Sequence, residues 1–290
     1  MKVQGAYTAL ITPFTEEGRI DYASFEKLLQ RQALAEISGV VVNGCTGEAG
    51  LLNDEETKEL IYQAVRISNG SVPVIAGTGR NSTDDTITMC QFAQEIGADA
   101  LMVITPTQVK PTQAGLVQHY MAVADSVEIP VMIYHIPGRT CSFINPETVA
   151  ILSTHPNIAA IKEASCKLEQ VEDIARLCDI TILSGDDAST LPFLALGAKG
   201  VVSVAANVAP TAVRELVNFA LGGHFDRARA LHFELLPLFR ALFLESNPIP
   251  VKALLELMGH ASKRVRPPLT EATPRTIDQL RVIMDSLQVY

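Results

Sequence analysis

Eight short apolar runs recur along the chain, and they restrict its fold more than any other feature. They are "AYTALIT" (6–12), "GVVVNG" (39–44), "VPVIAG" (72–77), "ALMVIT" (100–105), "PVMIYH" (130–135), "IAAIKE" (158–163), "ITILSG" (180–185) and "GVVSVA" (200–205). Most are continuous rather than alternating, which suits strands buried on both faces, as in a parallel sheet. Helical patterns fill the intervals. Asn53 with Glu56 three residues on is a capping-box signature, and Leu60, Ile61, Ala64 and Val65 then form one apolar face. Asn145 before Pro146 marks another helix start, and Gly97 a helix end. Cys90, inside the helical pattern "STDDTITMCQFAQEIGA" that Gly97 ends, reads as a small buried hydrophobe. Regular strand-then-helix units without a G-x-G-x-x-G turn predict a (β/α)8 barrel rather than a doubly wound sheet. The barrel is expected over residues 1–222. Residues 223–290 read as further helices, "FDRARALHFELLPLFRALFLE", "PIPVKALLELMG" and "RTIDQLRVIMDSLQ", with no linker before them. They are expected to pack on the barrel.

Composition narrows the partners. Of 290 residues 48% are hydrophobic and 19% charged, enough for a sizeable core. A net charge of -9 repels polyanions, so nucleic acid and anionic membranes are not the expected partners; small molecules are. The five cysteines, Cys45, Cys90, Cys141, Cys166 and Cys178, are odd in number and lack CxxC spacing. That suits reduced thiols and neither disulfides nor zinc. None of the six histidines forms an HExxH pair, and no metal is expected. The N-terminal "MKVQGAYTALITPF" lacks a signal peptide's apolar stretch, and no run reaches membrane-spanning length. The expected setting is the cytoplasm.

A barrel places its chemistry at the C-terminal ends of its strands. Lys162 ends the sixth run, where a lysine is hard to bury without a reason. Desolvation lowers the pKa of an ammonium, and a neutral amine there can form a Schiff base with a carbonyl. The plainer alternative is an ion pair with Glu163 or another acid. Tyr134 ends the fifth run, as a proton carrier or as a wall residue. Arg139 follows in "HIPGRT", able to hold a carboxylate, although spacing alone favours a solvated arginine. Cys45, at the end of the second run, is a candidate nucleophile by position. Asp186-Asp187 reads most economically as a cap for the following helix.

Together these segments resemble the dihydrodipicolinate synthase/N-acetylneuraminate lyase family of pyruvate-dependent class I aldolases. The likeness runs through "TALITPF", "NGCTGEAGLLNDEE", "PVIAGTG", "MIYHIPGRT", "IKEAS", "LSGDDASTL", "GVVSVAANV" and "NPIPVKALLELMG". It implies a barrel with C-terminal helices and a homotetramer; a dimer is the alternative if Gln108 weakens the interface. It implies no cofactor beyond a covalent lysine imine with pyruvate. Lys162 matches the imine lysine and Tyr134 the proton-relaying tyrosine. Thr46, Gly185 and Val202 match positions that line the pyruvate pocket. Arg139 matches the synthase branch, where it binds the carboxylate of aspartate semialdehyde.

Three positions depart from that pattern. Cys45 replaces a relay threonine, Thr107-Gln108 replace an aromatic pair, and His135 replaces an asparagine. The resemblance therefore moves Cys45 from nucleophile to proton relay. Histidines of the lysine-feedback site are replaced by Asp54 and Thr57, and one of its aromatics by Thr107, while Asn81 and Asp85 remain. Micromolar lysine is accordingly expected to leave turnover unchanged. The first functional reading is a synthase joining pyruvate to aspartate semialdehyde in lysine and diaminopimelate biosynthesis. The others are a lyase for a 2-keto-3-deoxy sugar acid or sialic acid, and a non-catalytic barrel that binds keto acids.

Overall fold

The eight runs form eight strands, and every strand pairs in parallel with its neighbours. β1 (Gly5–Ala9), β2 (Gly39–Val42), β3 (Val74–Gly77), β4 (Ala100–Ile104), β5 (Val131–His135), β6 (Ile158–Glu163), β7 (Thr181–Ser184) and β8 (Gly200–Ser203) follow chain order, and β8 returns to β1 to close the barrel. The structure is a computed structural model and describes residues 3–286. The last residues of the final helical pattern lie outside that range. Among the described residues no helix is long and apolar enough to cross a membrane.

The outer ring is α1 (Tyr22–Leu34), α2 (Asp54–Ser68), α3 (Thr83–Glu95), α4 (Gln113–Asp125), the single turn α5 (Pro137–Thr140), α6 (Pro146–Leu152), α7 (Leu168–Leu177), α8 (Thr190–Ala195) and α9 (Pro210–Leu221). Local chemistry sets several starts. Asn53 and Glu56 cap α2 reciprocally, as the sequence predicts. Asn145 precedes α6, but there Pro146 at the first position sets the start, because the Asn145 side chain makes no capping bond. Gly97 follows α3 with φ +93, a conformation open to glycine.

Strand period 2 divides the core in two. Tyr7, Val41, Ile75, Met102, Met132, Tyr134, Ala160, Leu183 and Val202 form a cluster inside the barrel. Residues of the other parity, among them Val40, Val103, Ile133, Ile161 and Val201, join the much larger layer between strands and helices. Cys90 lies fully buried in that layer. Continuous apolar runs are the sequence imprint of these two buried faces.

α10 (Phe225–Ala241), α11 (Ile249–Leu257) and α12 (Pro274–Ser286) complete the fold. α10 packs on α9 and α8, and α11 reaches the short turn of helix that follows β8. The segment between α10 and α11 brings Asn247 to the mouth of the barrel. There its Nδ2 donates to Thr46 Oγ1 at 2.9 Å.

Candidate active site

The register of β5 and β6 places Tyr134 directly beside Lys162. Both share the parity of Met132 and Ala160, so both side chains enter the barrel mouth. Lys162 is 5% exposed, and its Nζ lies 3.9 Å from the centre of the Tyr134 ring. Among the described residues it makes no ion pair. Glu163, the partner in the plainer reading, points to the opposite face and bonds His135 instead. Burial lowers the Lys162 ammonium from its ordinary 10.5 to about 8. Cys45 and Asp187 oppose that shift, and Arg139 adds to it. A substantial share of Lys162 is therefore neutral near pH 8. That is the state a nucleophilic amine requires.

Burial also drives the Tyr134 phenol well above its usual range, and the neighbouring Cys45, to which it hydrogen-bonds, pushes the same way. Tyr134 therefore keeps its proton at neutral pH and can lend it to a bound substrate. Cys45 lines two cavities. A narrow one of about 50 Å³ runs to Tyr134, Met102 and Ile104. A wider one of about 240 Å³ runs to Arg139, Glu48, Asn247 and Leu269. The thiol thus sits between the Tyr134 phenol and the wider cavity beside Arg139.

Thr46 is buried, and its hydroxyl is held by Asn247. Gly185 follows β7, and its N–H donates to the Glu163 carbonyl at 2.7 Å. A Cβ on Gly185 would lie 2.5 Å from the Ala164 Cβ, so the close approach of two barrel strands requires glycine. Val202 faces the barrel interior from β8. Arg139, on α5, is exposed at the wider cavity, and its Nη2 donates to the Asn247 carbonyl at 2.9 Å. Lys162, Tyr134, Cys45, Thr46, Arg139, Gly185 and Val202 therefore gather around one mouth.

The acidic pair divides its labour, which corrects the reading of both as helix caps. Asp186 accepts from Ser189 N–H at 2.8 Å in the turn ahead of α8, whose own N-cap position is Ser189. Asp187 instead reaches β8. It accepts from Ser203 Oγ, from Val204 N–H at 3.0 Å and from Ala205 N–H at 2.9 Å. Burial raises its carboxyl from 3.8 to about 6 despite those donors.

Sequence reasoning passes over the C-terminal half of the mouth. Lys252, on α11, is fully buried and forms an ion pair with Glu48, just beyond Thr46. Its Nζ also donates to the Arg264 carbonyl at 2.8 Å and lies 4.1 Å from the Phe14 ring centre. Glu48 further accepts from Arg266 N–H at 2.9 Å. The signal available was a lone lysine inside the apolar "PIPVKALLEL". Asp54 pairs with Arg80, and Thr107 donates to Asn81 Oδ1 through its N–H and its hydroxyl.

Residues 2–287 match the model of the dihydrodipicolinate synthetase family. The 4-hydroxy-tetrahydrodipicolinate synthase of Thermodesulfovibrio yellowstonii is 45% identical over 285 residues, 98% of each chain. That of Methanocaldococcus jannaschii is 44% identical over 269 residues, 92% of this chain and 93% of the relative. The crystal structure of dihydrodipicolinate synthase from Aquifex aeolicus superposes with a TM-score of 0.97 at 42% identity, covering 99% of this chain and 98% of that one. With a family model spanning nearly the whole chain, and relatives this similar end to end, the chain belongs to the dihydrodipicolinate synthetase family.

Proposed function

We propose that the protein condenses pyruvate with L-aspartate 4-semialdehyde, the activity of the 4-hydroxy-tetrahydrodipicolinate synthases it resembles. The observation that carries this reading is Lys162: buried, without an ion pair among the described residues, and facing Tyr134 at the barrel mouth. In this reading the neutral Nζ adds to the pyruvate carbonyl and water leaves, giving an imine. Loss of a methyl proton gives an enamine, whose carbon attacks the aldehyde and forms the new carbon–carbon bond. The amino group of the acceptor then displaces Lys162 from the imine carbon and closes a six-membered ring. One water is lost overall, and Lys162 returns as the free amine. Enclosure protects the imine and enamine from premature hydrolysis and protonation.

Each neighbour has a place in this scheme. Tyr134 moves protons to and from the adduct, with Cys45 as the adjoining relay. Thr46, Gly185 and Val202 hold pyruvate. Arg139 takes the acceptor's carboxylate, for which a guanidinium fork is well shaped. No metal or organic cofactor enters the scheme. The C-terminal helices that follow residue 222 act as an extension packed on the barrel rather than as a separate module, an assignment supported by Asn247 and Lys252 reaching Thr46 and Glu48. The five free cysteines support a reducing, cytoplasmic setting. Assembly into a homotetramer rests on the family likeness alone, with a dimer as the alternative. Sedimentation of the purified protein decides between them.

The test is product formation. Purified protein should consume pyruvate with aspartate semialdehyde and yield a cyclic product that a dihydrodipicolinate reductase accepts. Turnover only with a 2-keto-3-deoxy sugar acid would replace this reading with the lyase one. Imine formation with neither turnover would leave the non-catalytic keto-acid barrel.

A further inference from the structure

The proposed chemistry needs Tyr134 and Lys162 face to face, and one residue further along the same strands lies a second matched pair. His135 and Glu163 are register partners. By strand parity they point away from the mouth, into the layer between strands and helices, and both are wholly buried. His135 Nδ1 lies 2.7 Å from Glu163 Oε2. On the other side of the ring the Ile144 N–H points at Nε2 across a long 3.4 Å. A backbone N–H can only donate, so Nε2 is bare and the ring proton sits on Nδ1, donated to Glu163. The other Glu163 oxygen accepts from Ser165 N–H at 2.7 Å. Phe143 packs edge-on against the imidazole at 4.8 Å.

We propose that His135 is a positioning residue with two separable duties. Through Nδ1 it braces β5 against β6 and so fixes the Tyr134–Lys162 register. Through Nε2 it fastens residue 144 back to the end of β5. The segment fastened in this way, residues 136–143, carries Arg139. One imidazole thus links the geometry of imine chemistry to that of acceptor binding. This inference rests on the function proposed above.

Two near-isosteric substitutions separate the duties. The side-chain amide nitrogen of His135→Asn stands where Nδ1 stands and can still donate to Glu163, but nothing reaches Ile144. The amide of His135→Gln reaches the Nε2 place and can accept from Ile144, but the donor to Glu163 is lost. His135→Asn is expected to raise KM for the aldehyde about fivefold, the loss of one weak hydrogen bond, with kcat and pyruvate KM near those of the parent. His135→Gln is expected to lower kcat roughly tenfold to a hundredfold, the scale of a small misplacement of reacting groups, with aldehyde KM near the parent value. Equal losses in both variants that track lost thermal stability would overturn the proposal, as would no change in either. The unaltered protein gives an independent reading that needs no variant to fold. Its imidazole ¹⁵N shifts should report the Nδ1–H tautomer at neutral pH, and an Nε2–H ring would overturn the proposal. If the parent forms no imine with pyruvate, the functional reading fails, whereas the ¹⁵N result still reports on the brace.

Discussion

Among the described residues two lysines are buried at the barrel mouth, Lys162 and Lys252, and burial lowers both to about 8. Lys252 comes from the C-terminal helices and meets Glu48, the Arg264 carbonyl and the face of Phe14. Lys162 comes from a barrel strand and meets a tyrosine ring, and among the described residues no carboxylate pairs with it. A lowered pKa alone would nominate either as a nucleophile. Geometry separates them. Lys252 spends its ammonium on fastening α11 to the β2 loop, which a neutral amine would do poorly. Lys162 has a partner suited to proton transfer, and Cys45, which hydrogen-bonds that partner, lines two cavities. Perturbation marks a strained environment, and the surrounding atoms decide whether that environment serves structure or chemistry.

The sharpest way to break this contrast is to remove each amine in turn. Lys162→Ala should abolish turnover, by roughly 10⁴-fold or more, the scale on which loss of a covalent nucleophile acts. Its unfolding midpoint should stay at or above that of the parent, since a buried unpaired ammonium is gone. Steady-state assays and a urea melt on the same sample check both halves. Lys252→Ala should do the reverse. It strands Glu48 in the interior and should cost about 3–5 kcal/mol of unfolding free energy. Glu48→Gln combined with Lys252→Met should recover part of that loss, read from the same melts.

A smaller effect concerns pH. Only the neutral form of Lys162 attacks a carbonyl, and its folded pKa lies near 8. The rate of imine formation should therefore rise about tenfold per pH unit below 8 and level off above it. Stopped-flow rates with pyruvate across pH 6–9.5 test this, and a profile that levels only above pH 10 would contradict the lowered pKa. Smallest is the thiol. Cys45→Thr should retain or raise turnover, and Cys45→Ala should lower it. Equal turnover in both would reduce Cys45 to a space-filling residue.

What was legible in the sequence follows the same division. The barrel could be read because each strand leaves a local trace, an apolar run ended by a polar residue. Lys162 could be read because it breaks such a run at its end. The rest of the mouth is built from contacts that leave no local trace. Lys252 and Glu48 are 204 residues apart, and Asn247 and Thr46 are 201 apart. Periodicity within a window cannot reveal which distant carboxylate a buried lysine meets. Asp187 was misread for a related reason: its position before a helix suggested a cap, while closure of β7 on β8 brought stronger donors to it. His135 stood out in the sequence only as a departure from a pattern, and its partner is the acid first considered for Lys162.

The central claim is that Lys162, and not its equally perturbed counterpart, carries the chemistry. The direct measurement is to incubate the unaltered protein with pyruvate, reduce it with borohydride, and map the modified peptide by mass spectrometry. The account predicts one reduced pyruvate adduct per chain, on Lys162, with Lys252 unmodified. An adduct on Lys252, or none at all, would contradict it.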